Sequence, residues 1–211
     1  MPRVPLLKPD QAYTFSSYFE LPFEPEDVLP EFGYTFQRRK IDWPKAERIP
    51  DSQDLKTNVE QLLPYVSLKS ETARREILIA PLLFKVVQHT QAQMRIEYAI
   101  QVNDKLKGTL DYYLYTDQSL LIVEAKKADL TQGLTQLSVE MIALDQWLSR
   151  DQNVLVGAIT SGELWQFALL DRSTQGIYLD PRTYPYPDEA DQILSICIAS
   201  LQSTDLEKSI H

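Results

Sequence analysis

The chain has 211 residues, 44% of them hydrophobic, enough for a domain with a sizeable core. Its 21 Lys and Arg against 30 Asp and Glu give a net charge of −9, which argues against a general nucleic-acid binder held by phosphate contacts. A single cysteine, Cys197, and two histidines, His89 and His211, exclude a disulfide framework and a thiolate cluster and leave almost no material for a zinc site or a His-centred triad. No stretch approaches the roughly 18 uncharged apolar residues of a membrane span, and the opening MPRVPLLKPD has no hydrophobic signal region. A soluble, cytoplasmic protein with no membrane partner is expected.

Charge is spread unevenly. Residues 1–66 carry eight Lys/Arg against 11 Asp/Glu, 67–150 carry ten against ten, and 151–211 carry three against nine, so the neutral middle is where a local basic surface fits. Residues 1–66 are rich in Pro and aromatics. In AYTFSSYFELPF, Tyr13, Phe15, Phe19, Leu21 and Phe23 recur at period two, which reads as a strand. In EFGYTFQRRKIDW, Phe32, Tyr34 and Phe36 alternate likewise, and the two make an N-terminal aromatic-rich β-hairpin appendage on a main domain spanning 67–211. DSQDLKTNVEQLL reads as a short helix capped by Asp51 or Ser52.

From Ser70 the period becomes helical, with Ala73, Ile77, Ala80, Phe84 and Val87 as one apolar stripe. Pro81 lies inside it and predicts a kink or an interrupted hydrogen bond; His89, near the end, reads as a surface or C-terminal helix residue. MRIEYAIQV, GTLDYYLYT and LLIVEAKK follow as strands. ADLTQGLTQLSVEMIALDQWLS is a helix with Leu130, Leu134, Leu137, Met141, Leu144 and Leu148 on one side, NVLVGAITSGELWQFALLD is a hairpin turning at Ser161 and Gly162, and a last helix runs from about Asp188 to Leu201. The alternation predicts an α/β fold, a central mixed β-sheet flanked by helices.

Chemistry concentrates at one hairpin. If Asp117 and Gln118 form a two-residue turn, Tyr115 meets Leu120, Tyr113 meets Ile122, and Asp111 lies opposite Glu124, with Lys126 two residues on toward the same face. Two opposed acids on strands otherwise apolar on both faces need compensation, and a divalent cation supplies it. Oxygen ligands without His or Cys select Mg²⁺ or Mn²⁺. Such a metal suits hydrolysis of a phosphodiester, with Lys126 stabilising negative charge or orienting water. A partly buried ion triad at a strand end is the bland reading of the same residues, and a one-residue bulge would move Asp111 to the other face.

The set Glu71, Asp111, Glu124-Ala125-Lys126 resembles the PD-(D/E)xK nuclease superfamily of restriction-endonuclease-like folds, with the closest likeness to the nuclease domain of type I restriction enzyme motor subunits. SETARREILIAPLL is similar to that domain's first-helix segment, with Glu71, Arg75, Ile79 and Pro81 at its spacing. GTLDYYLYTDQSLLIVEAKKADL supplies Asp111 and the Glu-x-Lys, and GLTQLSVEM places Gln136 where related nucleases carry a Gln. The likeness covers about residues 70–170. Leu110 stands where the family name has Pro, and Glu140 where some relatives have Tyr; no helicase motif or phosphate-binding G-x-x-x-x-G-K-[ST] loop accompanies them.

The resemblance implies that Asp111 and Glu124 ligate Mg²⁺, with the carbonyl of Ala125 completing the shell, that Lys126 activates water, and that Glu71 is the helix acid, with Glu76 its rival. It implies DNA as substrate, RNA remaining open. Gln136 suits DNA, the lysine region or the solvent face, and Lys127 and Lys107 suit phosphate contacts. Arg38, Arg39, Lys40 and Lys105 suit a groove or an ordinary solvated face. Trp43, Trp147 and Trp165 receive no site role. A noncatalytic nucleic-acid- or protein-binding module of the same fold is the alternative, and a homodimer would let two sites cut two strands.

Overall fold

Strands β3 (Lys107–Tyr115) and β4 (Leu120–Ala125) pair antiparallel, with Tyr115 opposite Leu120, Tyr113 opposite Ile122 and Tyr112 opposite Val123, the register anticipated for a two-residue turn. The structure, a computed structural model, describes residues 5–117, 119–125, 130–148, 152–202 and 206. Strand β2 (Gln93–Gln101) flanks β3 antiparallel and forms one edge of the sheet. On the other side β5 (Val154–Thr160) runs parallel to β4, setting Glu124 beside Ile159 and Ala125 beside Thr160. Next come β6 (Leu164–Asp171), β7 (Gly176–Leu179) and, at the far edge, β1 (Thr35–Arg38), parallel to β7; β8 (Tyr184–Pro185) pairs with β6 beyond the end of β7. The sheet is mixed, in the order β1-β7-β6-β5-β4-β3-β2.

Helices cover both faces, which is why the central strands are apolar on both sides. One core joins Leu121, Val123 and Ala125 of β4 to helices α3 (Gln53–Leu62), α5 (Ala80–Thr90) and α7 (Ala190–Gln202) through Val59, Leu83, Val86, Leu194 and Cys197. The other joins Ile122 to α1 (Phe15–Glu20) and α6 (Leu130–Trp147) through Phe15, Tyr18, Leu137, Met141 and Leu144. Each fully buried Val, Leu, Ile, Phe or Met among them contributes about 1.5–3 kcal/mol.

Three expectations need correction. There is no N-terminal β-hairpin: Phe15–Glu20 is a helix, followed by the single turn α2 (Pro25–Val28), and Thr35–Arg38 belongs to the main sheet. Ser17 Oγ accepts from the Thr14 N–H (3.0 Å), capping α1, and the spacing of Phe15 and Tyr18 buries both on one helical face. Gly108, at φ +151°, lets Phe15 approach so closely that a Cβ would lie 2.7 Å from its ring. The described part of residues 1–66 thus enters both cores.

The helix from α4 (Glu71–Arg74, capped by Ser70) reaches α5 through a π turn, Arg75–Ile79. Pro81 has no N–H to donate, and the Ala80 N–H instead reaches back to the Arg75 carbonyl. The extra residue rotates the apolar face onto Leu78, Ile79, Leu82, Leu83 and Val86, leaving Phe84, expected inside, exposed. Finally, every residue of α6 from Gly133 to Leu144 is buried, since the sheet covers one side and α1 packs on another.

Candidate active site

The β3–β4 ladder stops at Tyr112–Val123, one step short of Asp111 and Glu124. On the β2 side, Glu97 opposite Asp111 has φ +52° and is skipped by the pairing, which runs from Ile96–Tyr112 to Tyr98–Leu110. Across this step the pleat turns over: Tyr112 and Leu114 lie in the α5/α7 core, yet Leu110 lies with Tyr113 in the α6 core. Asp111 is therefore turned toward the neighbouring strand, where its Oδ2 accepts from the Ala125 N–H (2.9 Å). Asp111 is thus not paired opposite Glu124 as anticipated: it reaches the Ala125 N–H and Arg75, while Glu124 is held from α6, so the two acids are held from different sides.

Asp111 is met by the π turn. Arg75 Nη1 lies 3.5 Å from Asp111 Oδ1 and donates to Glu97 Oε1 (3.2 Å), while its guanidinium carbon sits 5.3 Å from the centre of the Tyr112 ring. Burial alone would lower the Arg75 pKa, but the Tyr112 hydroxyl and the charges of Asp111 and Glu97 outweigh it and hold the side chain charged. Tyr112 in turn is pushed up by burial, against the pull of Arg75 and with the help of Glu76 and Asp111. Glu76 thus bears on the same cluster, although its side chain is exposed. The half-buried Glu71 opens α4 and makes no side-chain hydrogen bond or ion pair among the described residues.

Glu124 is met by α6. Gln136 Nε2 donates both to Glu124 Oε1 (2.6 Å) and to Glu140 Oε1 (2.8 Å), and the three side chains are 2%, 4% and 1% exposed for Glu124, Gln136 and Glu140. Gln136 therefore presents no solvent face; it fixes Glu124. Glu140 joins it through a spacing of four, the only hint its sequence position offered.

Lys126 and Lys127 lie outside the described residues. Lys107 pairs with Asp104 (2.9 Å), Arg38 with Glu26, and Lys40 with Asp42 (3.8 Å); Arg39 stacks 3.9 Å from the Tyr178 ring centre. Among the described residues no group of three or more His, Cys, Asp or Glu side chains is arranged as a metal site. A metal would rest on Asp111, Glu124 and main-chain or water oxygens. No helix is long and apolar enough to cross a membrane among the described residues. Compared with known proteins, the chain matches no family model and no curated protein sequence.

Proposed function

We propose that the chain is a Mg²⁺- or Mn²⁺-dependent phosphodiester hydrolase of the PD-(D/E)xK type, a DNA endonuclease. The observation that carries this reading is the end of the β3–β4 ladder, where Asp111 locks onto the Ala125 N–H one residue past Glu124. The donor set fits a hard cation: a carboxylate offers about four lone-pair sites, and Asp111 has one hydrogen bond and one ion pair at 3.5 Å. Asp111 and Glu124 would hold the ion with the carbonyl of Ala125. When bound, it would polarise a phosphate and lower the pKa of a water. The chain's own part is to fix Asp111 through the Ala125 N–H and Glu124 through Gln136, so that neither carboxylate reorganises. Lys126 is assigned to the attacking water, and Glu71, or its rival Glu76, is assigned as the helix acid.

A second reading, a noncatalytic binding module of the same fold, is favoured by one observation. Arg75 and Gln136 already give each acid a protein partner, so the pair is compensated without a metal. Mn²⁺ calorimetry on chelator-stripped protein separates the two. Binding by the wild type that is lost in a folded Asp111→Ala variant supports the enzyme and leads to cleavage assays on single- and double-stranded DNA and on RNA. A wild type that binds no Mn²⁺, alone or with DNA, leaves the binding module.

A further inference from the structure

Three tyrosines stack on the α6 side of β2 and β3. The Tyr98 and Tyr113 rings are 5.8 Å apart at 24°, and those of Tyr113 and Tyr115 are 5.0 Å apart at 21°. Arg95, opposite Tyr113 in the ladder, lies with its guanidinium carbon 5.0 Å from the Tyr98 ring centre and 6.0 Å from that of Tyr115. Its side chain is exposed on the edge strand, and the one acid of β2, Glu97, is taken by Arg75. Tyr113 is two residues from Asp111, about 7 Å along the strand. Its ladder partner Ile122 is two residues from Glu124, which meets α6 on that same side.

We propose that Arg95, held beside the Tyr98 and Tyr115 rings of this stack, receives an unpaired base of a single-stranded nucleic acid whose backbone continues to Asp111 and Glu124. The inference rests on the reading of the site as acting on nucleic acid and specifies the substrate as a single strand. A guanidinium held against aromatic rings keeps its outer plane for a second partner, and only an unpaired base offers its face there. Charge argues the same way. At −9 the chain gains little from a long run of phosphates, and Arg38, Lys40 and Lys107 are spent on neighbouring acids. Stacking, which needs few phosphate contacts, is the source of affinity that suits such a charge balance.

The test is fluorescence anisotropy of the full chain, in chelator, with labelled oligo-dT and with the same strand annealed to oligo-dA. Wild type is expected to bind the single strand more tightly than the duplex. Arg95→Ala should weaken the single strand by about tenfold, the loss of one stacked base. Arg95→Lys, which keeps the charge without the plane, should lose nearly as much. Wild-type affinity in Arg95→Lys, a preference for duplex, or no binding of either form overturns the inference; the last outcome leaves Arg95 to a protein partner. Because the chelator removes any metal, a failed metal site registers in the calorimetry and not here.

Discussion

Replacing Gln136 by Leu removes a side chain that donates to both buried acids, Glu124 of β4 and Glu140 of α6. Two hydrogen bonds to carboxylates, at about 1.5–3 kcal/mol each, set a gross loss of about 3–6 kcal/mol. Part is returned, because among the described residues the Gln136 Oε1 accepts no hydrogen bond, and a Leu there buries apolar surface instead. Together these offset about 2 kcal/mol. A net destabilisation of about 1–4 kcal/mol is expected. It is measured by urea unfolding followed by tryptophan fluorescence, with the fully buried Trp165 as reporter. In a Glu124→Gln background one acceptor is neutral, so the cost of Gln136→Leu should shrink by about 1 kcal/mol. A loss below about 0.5 kcal/mol in the wild-type background, the range of a surface change, would refute the buried network.

Two further predictions concern other groups. Burial pushes the Asp171 carboxyl up, but hydrogen bonds from Ser173 and Thr174 outweigh it and hold it below the ordinary aspartate value. A depressed folded pKa contributes stability that is present above the unfolded value and is lost as pH falls below about 4. Asp171→Asn should therefore lower the urea midpoint at neutral pH and flatten its acid decline; an unchanged acid slope contradicts the assignment. Cys197 is fully buried and its thiol is pushed well up by that burial. It should resist an aromatic disulfide reagent at about pH 8 until denaturant is added, and rapid native-state labelling would show that α7 opens.

The β3–β4 register was legible because two apolar strands flank a short polar turn whose length sets the pairing, and the Thr116 N–H donates to the Ser119 carbonyl (2.8 Å) across it. The first segment was not. Tyr13, Phe15, Phe19, Leu21 and Phe23 satisfy period two, but Phe15 and Tyr18 satisfy a helical turn, and docking against Gly108 and α6 decides between them. Gln136, left open among DNA, the lysine region and the solvent face, is buried because it faces Glu124 on the sheet, while α1 and the Phe23 carbonyl, which accepts from Thr135 Oγ1 (3.1 Å), cover another part of α6. In the same way Pro81 signalled a broken ladder but not its form, and the π turn moved the apolar stripe off Phe84. Arg75 entered the sequence reading only as a spacing mark; its role as the counter-ion of Asp111 depends on a turn geometry that no periodicity encodes.

That counter-ion also decides how hard a metal would have to compete. At 3.5 Å and an effective dielectric near 20, the attraction between Arg75 and Asp111 is about 5 kcal/mol before desolvation. A divalent ion carries twice the charge and binds a carboxylate at about 2.1 Å, so its attraction for the same group is roughly three times larger. Arg75 need not leave to make room, because the same Nη1 donates to Glu97 Oε1 at 3.2 Å and would keep the guanidinium paired. The arrangement thus serves both readings of the site: Arg75 compensates Asp111 without a metal, and the stronger attraction of a divalent ion would let it bind beside that pair.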